Sequence, residues 1–391
     1  MSMAKNSLLM VAGESSGDFY GGALCRALRG RDPSLEIFGC AGEAMREAGV
    51  ETVVDAREVS AIGITEVVTG LPRAWRALAR LTREAMLRRP RGAVLIDFPD
   101  FNLRLAARLR RLGIPVIYFV SPQIWAWRRG RLKQLRATVQ KMLCIFDFEQ
   151  EIYRKAGIPV EFVGHPLVDV ATVNSSRENF LKSLGFDDEV PTVALLPGSR
   201  RSEMSHHLPV MLAAASQIAT RRSVQFVISL AQAAETARVE LLVQQHYQGR
   251  GRLRVVAGRS QEALEHAAVA AVASGTATLE AALHERPMVV IYRVSPATAW
   301  VARRLVKVPF YSMVNLLANR RVVPELIQAD LTAEKLAKEI EFLLDHAEAC
   351  ARMVEGLREV RARLGPSGAI ERAASAVWHE LGLGGASLSA A

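Results

Sequence analysis

The stretch TVALLPGSRRSE, residues 192–203, has the pattern of a strand, a tight turn and the start of a helix. The apolar run Val193 to Leu196 predicts a short buried strand, Gly198 marks the turn, and Ser199 can cap the helix. The N–H groups at a helix N-terminus attract anions, and Arg200 and its neighbour add positive charge there. The stretch therefore predicts either a phosphate-binding turn or an ordinary strand-to-helix turn with solvated arginines.

Short apolar runs alternate with helical stretches on both sides of this turn, which predicts parallel sheets built from β-α-β units. A polar segment, Asp169 to Pro191, separates the two halves. We therefore expect an α/β protein with two Rossmann-like domains, residues 1–170 and 190–364, whose parallel sheets face a central cleft. Residues 365–391 are predicted to add a final helix and a disordered tail rich in Gly, Ser and Ala.

The 391-residue chain has a formal net charge of +10, which indicates an anionic partner: nucleic acid, an acidic membrane surface or a phosphorylated substrate. Charged residues interrupt its apolar runs, and its first residues lack a secretory pattern. We therefore predict a cytoplasmic protein without a transmembrane helix. The four scattered cysteines, and the pair His206 and His207, lack the spacing of a disulfide framework or a metal site. We expect no metal.

A second candidate site is the turn VAGESSGDFYGG, which follows the first predicted strand. Its glycines do not match G-x-G-x-x-G, so a dinucleotide-dependent oxidoreductase is not expected. Gly13 and Gly17 allow either a ligand to approach the backbone or a helix to pack closely on a strand. Glu14 or Asp18 can accept hydrogen bonds from sugar hydroxyls, and Ser16 lies in the same turn.

The segment AVLIDFPDFN places Asp97 and Asp100 at the carboxyl end of a predicted buried strand, where ligands of open α/β sheets bind. Desolvation beside the apolar run would raise the pKa of Asp97 and make it a suitable general base for a sugar hydroxyl. The alternative is that a carboxylate here only caps a helix, a task that we assign to Asp100.

In the second half, SGTATLEAAL repeats the pattern of a turn that opens a helix after an apolar run. Ser274, Gly275 and Thr276 are predicted to form a helix N-terminus that favours an anion, or only a capping segment. Glu280 lies one turn further, where its carboxylate can accept hydrogen bonds from a ribose diol. Two such turns in one domain can hold opposite parts of a nucleotide diphosphate.

Two further segments combine aromatic and cationic residues. Trp125 and a second tryptophan in YFVSPQIWAWRRGR can stack on nucleic acid bases or pack into a core or a domain interface. Because the chain shows no recognised nucleic-acid module, we expect no nucleic acid as a partner.

From Ile62 to Arg89, an apolar patch adjoins a cationic helix, which is typical of a membrane interface or of a buried amphipathic helix. We favour a membrane-facing patch formed by Ile64, Val67, Val68, Leu71 and Trp75.

These motifs together resemble those of the lipid A disaccharide synthase family, from about Leu8 to Leu344. The matching segments are AGESSGD, GITEV, IDFPDFN, VSPQIWAWR, FVGHP, LLPGSRRSE, ASGTATLE, PMVVIYR and NLLANRRVVPELIQ. The resemblance implies a GT-B glycosyltransferase that transfers a diacylglucosamine unit from UDP-2,3-diacylglucosamine to 2,3-diacylglucosamine 1-phosphate. The products would be UDP and a β-1,6-linked disaccharide 1-phosphate, a lipid A precursor of Gram-negative bacteria.

The resemblance also implies residue roles. The aspartate of the family's IDAPDFN motif corresponds to Asp97, a base for inverting transfer, and the arginine of its PGSR motif corresponds to Arg200. The family usually has Ala where this chain has Phe98, and commonly has Pro where it has Val314. The donor-side candidates are Gly198, Ser199, Arg200, Ser274, Gly275, Thr276, Glu280 and Asn315, and those of the acceptor side or cleft are Gly13, Glu14, Ser16, Gly17, Asp100 and Trp125.

Since the sequence has no metal motif, we expect the enzyme to work without a metal or other cofactor, and the apolar patch with its cationic surface predicts a peripheral position on the anionic inner-membrane surface. Family members can form homodimers, and the final helix is expected to return toward the first domain. Two alternatives remain open. One is another enzyme on this scaffold, such as a UDP-sugar 2-epimerase, because one fold can support several chemistries. The other is a non-catalytic membrane protein that binds a nucleotide sugar as a signal.

Overall fold

Parallel strands that alternate with helices form two separate sheets, as the alternation of apolar and helical segments predicts. The computed structural model describes residues 6–60, 67–122, 131–173, 175–231, 233–296, 298–299 and 309–383. The chain divides into two units, one made of Met1–Asp169 and Leu364–Ala391 and the other of Val170–Arg363.

The first sheet contains seven strands: β1 (Ser7–Ala12), β2 (Glu36–Ala41), β3 (Glu51–Asp55), β4 (Gly92–Ile96), β5 (Val116–Phe119), β6 (Lys141–Cys144) and β7 (Val160–Phe162). The helices along this part of the chain are α1 (Ser15–Arg31), α2 (Glu43–Glu47), α3 (Ala56–Ser60), α4 (Val67–Arg88), α5 (Pro99–Arg111), α6 (Arg131–Thr138), α7 (Glu149–Lys155) and α8 (Leu167–Val170).

The second sheet contains six strands: β8 (Thr192–Leu196), β9 (Gln225–Leu230), β10 (Leu253–Ala257), β11 (Val269–Ala273), β12 (Met288–Tyr292) and β13 (Glu325–Ile327). The helices that follow α8 are α9 (Arg177–Leu184), α10 (Arg201–Arg221), α11 (Thr236–His246), α12 (Ser260–His266), α13 (Thr276–Leu283), α14 (Met313–Ala318), α15 (Ala333–Asp345), α16 (Ala347–Arg363) and α17 (Ala369–Glu380).

The strand order of each sheet contains one reversal. The first sheet runs β3-β2-β1-β4-β5-β6-β7 and the second runs β10-β9-β8-β11-β12-β13, and each neighbouring pair is parallel. Chain order therefore changes direction between β1 and β4 in the first sheet, and between β8 and β11 in the second. Open α/β sheets bind ligands outside the carboxyl ends of the strands at this position.

Burial on both faces explains the continuous apolar sequences of the central strands. In the first unit Leu9, Leu95 and Tyr118 are fully buried, and α4 contributes Ala77 and Leu81 to the same core. Among the helices of the described residues, none combines the length and the apolar character needed to cross a membrane.

The segment between the two halves and the final helix each pack into one of the two units. The polar stretch predicted as a linker contains α9, whose Phe180 and Leu181 are buried in the second unit, because the helix has an apolar face. The final helix α17 packs in the first unit, where Arg31 of α1 forms an ion pair with Glu371 at 3.2 Å.

Candidate active site

The two turns singled out in the second half of the sequence are neighbours at the reversal point of their sheet. β8 and β11 are adjacent and parallel, with Leu196 opposite Val272. The turn that begins at Pro197 therefore adjoins the turn that begins at Ser274. This is the position at which a sheet of this kind binds ligands.

The turn after β8 depends on Gly198, whose φ of +107° lies in the region that favours glycine. A Cβ atom at this position would come within 2.6 Å of the Glu203 carboxylate. That carboxylate accepts a hydrogen bond from the backbone N–H of Arg200 at 3.3 Å and so satisfies one N–H group at the start of α10. The prediction that Ser199 caps the helix is wrong, because the N-cap is the next residue and its acidic partner lies inside the first turn.

The two arginines of this turn differ in their partners. Arg201 forms an ion pair with Glu235 at 2.6 Å, and Arg238 reaches the same carboxylate at 3.2 Å. The hydrogen bond from Arg201, together with Arg238, holds the pKa of Glu235 below its ordinary value. Arg200 has a side chain that is 63% exposed and lies 3.7 Å from Glu203. The Arg201 side chain is 77% exposed, so both guanidinium groups reach solvent, and Arg200 is the one that lies at the N-cap of α10.

His207 supports the same turn, a role that its pairing with His206 in the sequence does not indicate. It is fully buried, its Nδ1 lies 2.7 Å from the carbonyl of Pro197, and its Nε2 accepts from the backbone N–H of Arg293 at 2.9 Å. These partners fix a neutral ring with its proton on Nδ1, and burial lowers its pKa. The sequence signal for its burial is the spacing: His207 lies three residues after Met204 and four before Met211, on the buried face of α10.

The turn after β11 presents the N-terminus of α13. Gly275 is its N-cap with a φ of +147°, which requires glycine. Ser274 donates its hydroxyl to the carbonyl of Tyr311 at 2.8 Å and its backbone N–H to that of Ile291 at 2.9 Å. Gly275 and Thr276 are exposed. The part of this turn that can meet an anion is therefore the exposed start of the helix.

Glu280, one turn into α13, is held from α12. Its Oε2 accepts from Gln261 Nε2 at 3.1 Å and from Ser260 Oγ at 3.4 Å, and burial raises its pKa. The Gln261 amide oxygen lies 2.5 Å from Nε2 of His284, whose Nδ1 lies 2.6 Å from Glu265. The sequence predicted the carboxylate, but it did not predict these partners.

Asn315 is fully buried at the start of α14 and uses its whole side-chain amide within the protein. Nδ2 donates to the carbonyl of Val323 and to Glu325, both at 2.9 Å, while Oδ1 accepts from the N–H groups of Val322 and Val323 at 2.7 and 3.0 Å. Direct contact of this amide with a donor would break some of these bonds, and the donor-side role of Asn315 stays a prediction. Val314, at the position of the family's proline, is fully buried in the same helix.

In the first unit, Asp97 and Phe98 follow β4 in two consecutive left-handed conformations, with φ values of +44° and +49°. Residues other than glycine are strained in this region, and such strain concentrates at functional sites. The carbonyl of Asp97 accepts from the hydroxyl of Tyr118 at 2.5 Å and from the amide of Asn102 at 2.8 Å, which fixes the turn. Asp97 is partly buried at the carboxyl end of β4, beside the end of β1.

Asp100 does not cap α5, contrary to the prediction. The helix begins at Pro99, with Phe98 as its N-cap, because proline suits a first helical position that needs no N–H donor. Asp100 is then the second residue of the helix, where its side chain is 71% exposed and pairs with Arg131.

Packing explains the glycine of the turn that follows β1. A Cβ atom on Gly13 would come within 2.3 Å of the Phe98 ring, which therefore occupies the space above this glycine. Gly17 is buried in the first turn of α1. Asp18 accepts hydrogen bonds from three backbone N–H groups at the start of α2, at 2.7, 2.9 and 3.3 Å, and so serves that helix rather than a sugar. The other candidates of this turn, Glu14 and Ser16, are partly buried.

α4 carries the candidate membrane-facing surface. One of its faces packs into the core, as the alternative of a buried amphipathic helix predicts. Trp75 lies outside that core and is 50% exposed, and the guanidinium groups of Arg104 and Arg108 lie 5.7 and 5.5 Å from its ring. Outside the described residues and side chains lie Ile64, Trp125 and the side chains of Val67, Val68 and Leu71.

Within the described ranges, no group of three or more His, Cys, Asp or Glu side chains is arranged to hold a metal ion. Burial raises the pKa of the Cys25 thiol to about 11, so this cysteine is a core residue rather than a reactive thiolate. The absence of a metal or other cofactor stays a prediction.

Known proteins are similar to this chain over nearly its whole length. A family model described as Lipid-A-disaccharide synthetase matches residues 8–375. A lipid-A-disaccharide synthase of Myxococcus xanthus (strain DK1622) is 45% identical over 372 residues, which cover 95% of this chain and 96% of the relative. The chain belongs to the lipid-A-disaccharide synthase family. A second synthase of that name, from Solibacter usitatus (strain Ellin6076), is 43% identical with the same coverage of both chains.

Membership of the lipid-A-disaccharide synthase family confirms the predicted resemblance and makes the chain a glycosyltransferase. The solved structure of Acinetobacter baumannii MurG has a TM-score of 0.58 at 13% identity and covers 95% of this chain and 99% of its own. The complex of Staphylococcus aureus MnaA with UDP has a TM-score of 0.66 at 11% identity and covers 96% and 97%. At such identities the likeness concerns the fold alone, and it confirms the prediction of a GT-B fold with two Rossmann-like units.

Proposed function

We propose that this chain transfers a diacylglucosamine unit from UDP-2,3-diacylglucosamine to 2,3-diacylglucosamine 1-phosphate, with UDP and the β-1,6-linked disaccharide 1-phosphate as products. The family match over residues 8–375 is the observation that carries the proposal. The adjacent turns after β8 and β11 support it, because they combine two helix N-termini, an exposed arginine and a partly buried glutamate. These groups suit the diphosphate and the ribose of a UDP-sugar.

On the donor side, Arg200 and the N–H groups at the start of α13 would stabilise the negative charge that develops on the leaving UDP. One preorganised donor of this kind is typically worth about 2.7–4 kcal/mol. Glu280 would accept hydrogen bonds from the ribose hydroxyls. Arg200 and these N–H groups would offset the charge of the leaving group, so the reaction would need no resident metal or other cofactor.

On the acceptor side, Asp97 would take the proton of the acceptor's 6-hydroxyl while that oxygen attacks the anomeric carbon, which inverts the configuration there. Asp97 is the better candidate of the two carboxylates, since it lies on the strained turn at the reversal point of its sheet. Asp100 is exposed and pairs with Arg131.

We also place the enzyme peripherally on the anionic inner-membrane surface, where both acylated substrates lie. Trp75, Met86 and Leu87 are large exposed apolar residues of α4, and Arg73 and Arg83 of the same helix are exposed. Apolar side chains beside arginines suit the interface of an acidic membrane.

The decisive experiment incubates the purified chain with both diacylglucosamine substrates and follows the disaccharide phosphate and UDP by mass spectrometry. Asp97→Asn is expected to lose turnover by about 100-fold or more while retaining its affinity for UDP. Asp100→Asn is the matched control and should keep most activity. If Asp100→Asn lost turnover and Asp97→Asn kept it, Asp100 would be the base. If the folded protein formed no disaccharide phosphate, the proposed function would be refuted.

A further inference from the structure

Four side chains on and beside α12 and α13 form a continuous line of hydrogen bonds, called here the α12–α13 network: Glu280, Gln261, His284 and Glu265. Gln261 joins Glu280 at 3.1 Å and His284 at 2.5 Å, and His284 joins Glu265 at 2.6 Å. The imidazole is 3% exposed, whereas the side chain of Glu265 at the far end is 44% exposed. A buried polar network is stable only when each member has a suitable partner, which restricts where its protons can lie.

In the observed orientation of Gln261, both imidazole nitrogens of His284 face oxygen atoms. The amide oxygen and an ionised Glu265 can only accept hydrogen bonds. His284 then has to donate from both nitrogens, so it carries a positive charge. Glu280 accepts from the amide NH2 group and is ionised. This is the charged arrangement of the network.

A neutral His284 requires the opposite orientation. Its one proton stays on Nδ1 beside Glu265, so Nε2 becomes an acceptor. Gln261 must then turn its NH2 group toward the ring and its oxygen toward Glu280. Two oxygen atoms form a hydrogen bond only if Glu280 is protonated. The neutral and charged arrangements contain the same number of protons and differ in whether His284 or Glu280 holds one of them.

We propose that His284 is a positioning residue: in its protonated form it holds the amide oxygen of Gln261, so that the NH2 group of Gln261 faces Glu280 and keeps that carboxylate ionised for hydrogen bonds from the ribose of a UDP donor. The inference rests on the proposed function, in which Glu280 meets the ribose diol. The observed orientation of Gln261 already has this arrangement, so binding of UDP should require no proton transfer and little net change in bound protons.

The groups around the network set the balance between its two arrangements. Burial raises the pKa of Glu280 and lowers that of His284, so burial opposes the charged arrangement that the orientation of Gln261 shows. Arg286 and Arg361 act on His284 in the same direction, while Glu265 raises its pKa. A diol that donates to Glu280 favours the charged arrangement, so ligand binding and proton position are linked.

The test compares UDP with 2′-deoxy-UDP, which lacks one ribose hydroxyl, by titration calorimetry in buffers of different ionisation enthalpy. The variants His284→Phe and Gln261→Leu interrupt the network at different members, and His246→Phe changes an exposed histidine at the end of α11. Wild type is expected to prefer UDP by about tenfold, the effect of one hydrogen bond to a charged group, with little proton release. The control should behave in the same way.

In both network variants the preference for UDP should be weaker at about pH 6.5 than at about pH 8.5, because burial raises the pKa of Glu280 and the variants remove the partners that favour its charged form. If UDP binding ionises Glu280 at the lower pH, it should release up to about one proton. Glu265→Gln, at the exposed end of the network, should shift both measurements in the same direction and provides a variant that does not disturb the buried packing. An unchanged preference and unchanged proton release in these variants, with normal thermal unfolding, would overturn the proposal.

Glu280→Gln separates the inference from the proposed function. If it removes the preference for UDP at both pH values while the network variants keep it, the donor site stands and the role of His284 is refuted. If it leaves the preference intact, or if wild type does not bind UDP, the proposed donor site itself is refuted.

Discussion

Arg200 is the N-cap of α10 beside Gly198, where its charge can act on an anion at the start of the helix. Its neighbour Arg201, whose side chain is 77% exposed, pairs at 2.6 Å with the buried carboxylate of Glu235, whereas the Arg200 side chain is 63% exposed and lies 3.7 Å from Glu203. Loss of Arg200 should therefore affect the reaction more than loss of Arg201 does.

Arg200→Ala is expected to lower kcat by about 100- to 1,000-fold, the effect of removing one preorganised donor to a developing negative charge. Arg200→Lys should recover part of that loss, because it restores the charge without the planar fork. The measurement is the rate of disaccharide formation at saturating substrates, with Arg201→Ala as the matched control. Near-normal turnover of Arg200→Ala would show that this stretch is only a turn.

At the scale of secondary-structure elements, His207 joins the end of β8 to the residue that follows β12. Replacement of His207 by Ala would leave the carbonyl of Pro197 and the N–H of Arg293 without this partner. Each buried group left unpaired costs about 1–3 kcal/mol, so the free energy of unfolding in urea should fall by that order.

The same histidine predicts a dependence of stability on pH. Its pKa in the fold is lower than in the unfolded chain, so the unfolded state binds more protons as the pH falls. The stability present above the ordinary histidine pKa is therefore lost as the pH falls toward the lowered value. Wild type should lose more free energy of unfolding between about pH 7 and about pH 5 than His207→Gln does. Parallel losses in the two proteins, with His206→Gln as control, would contradict this.

Strands, turns and their order could be predicted from the sequence because their signals are local. The apolar run before Gly198, and the one before Gly275, predict buried strands, and each glycine marks a conformation that other residues rarely adopt. The carboxylates Asp97 and Glu280 could be placed at strand ends and helix starts for the same reason.

The partners of these residues could not be predicted, since they come from distant parts of the chain. Gln261 meets Glu280 and His284 only because α12 lies against α13. Asp100 pairs with Arg131, and no local pattern distinguishes that pairing from a helix cap. Local sequence patterns therefore predict which residues are candidates for the site, and tertiary packing decides which partners those residues have.

At the scale of the whole molecule, association with membranes should depend on the exposed apolar residues of α4. The triple variant Trp75→Ser, Met86→Ser and Leu87→Ser should bind about tenfold or more weakly to vesicles that contain anionic lipid. Full burial of one such side chain contributes roughly 1.5–3 kcal/mol, so even partial burial of all three in the membrane interface is enough for this effect. Sedimentation with vesicles measures this, and added salt should weaken the wild type as well. Leu241→Ser, an equally exposed leucine of the second unit, is the control. Equal binding by both variants would refute the proposed surface.

The first unit takes its last helix from the far end of the chain. Arg31 pairs with Glu371, Gln140 donates to Glu380 at 2.7 Å, and Ala373 and Val377 are buried, so α17 packs as part of the unit that begins at β1. During synthesis, all of Val170–Arg363 leaves the ribosome before α17 does. The second unit can therefore finish folding first, while α1 waits for its last neighbour. A stop codon shortly before residue 364 would remove α17 and so prevent complete folding of the first unit. The second unit, in which the stop codon lies, would keep its own sheet.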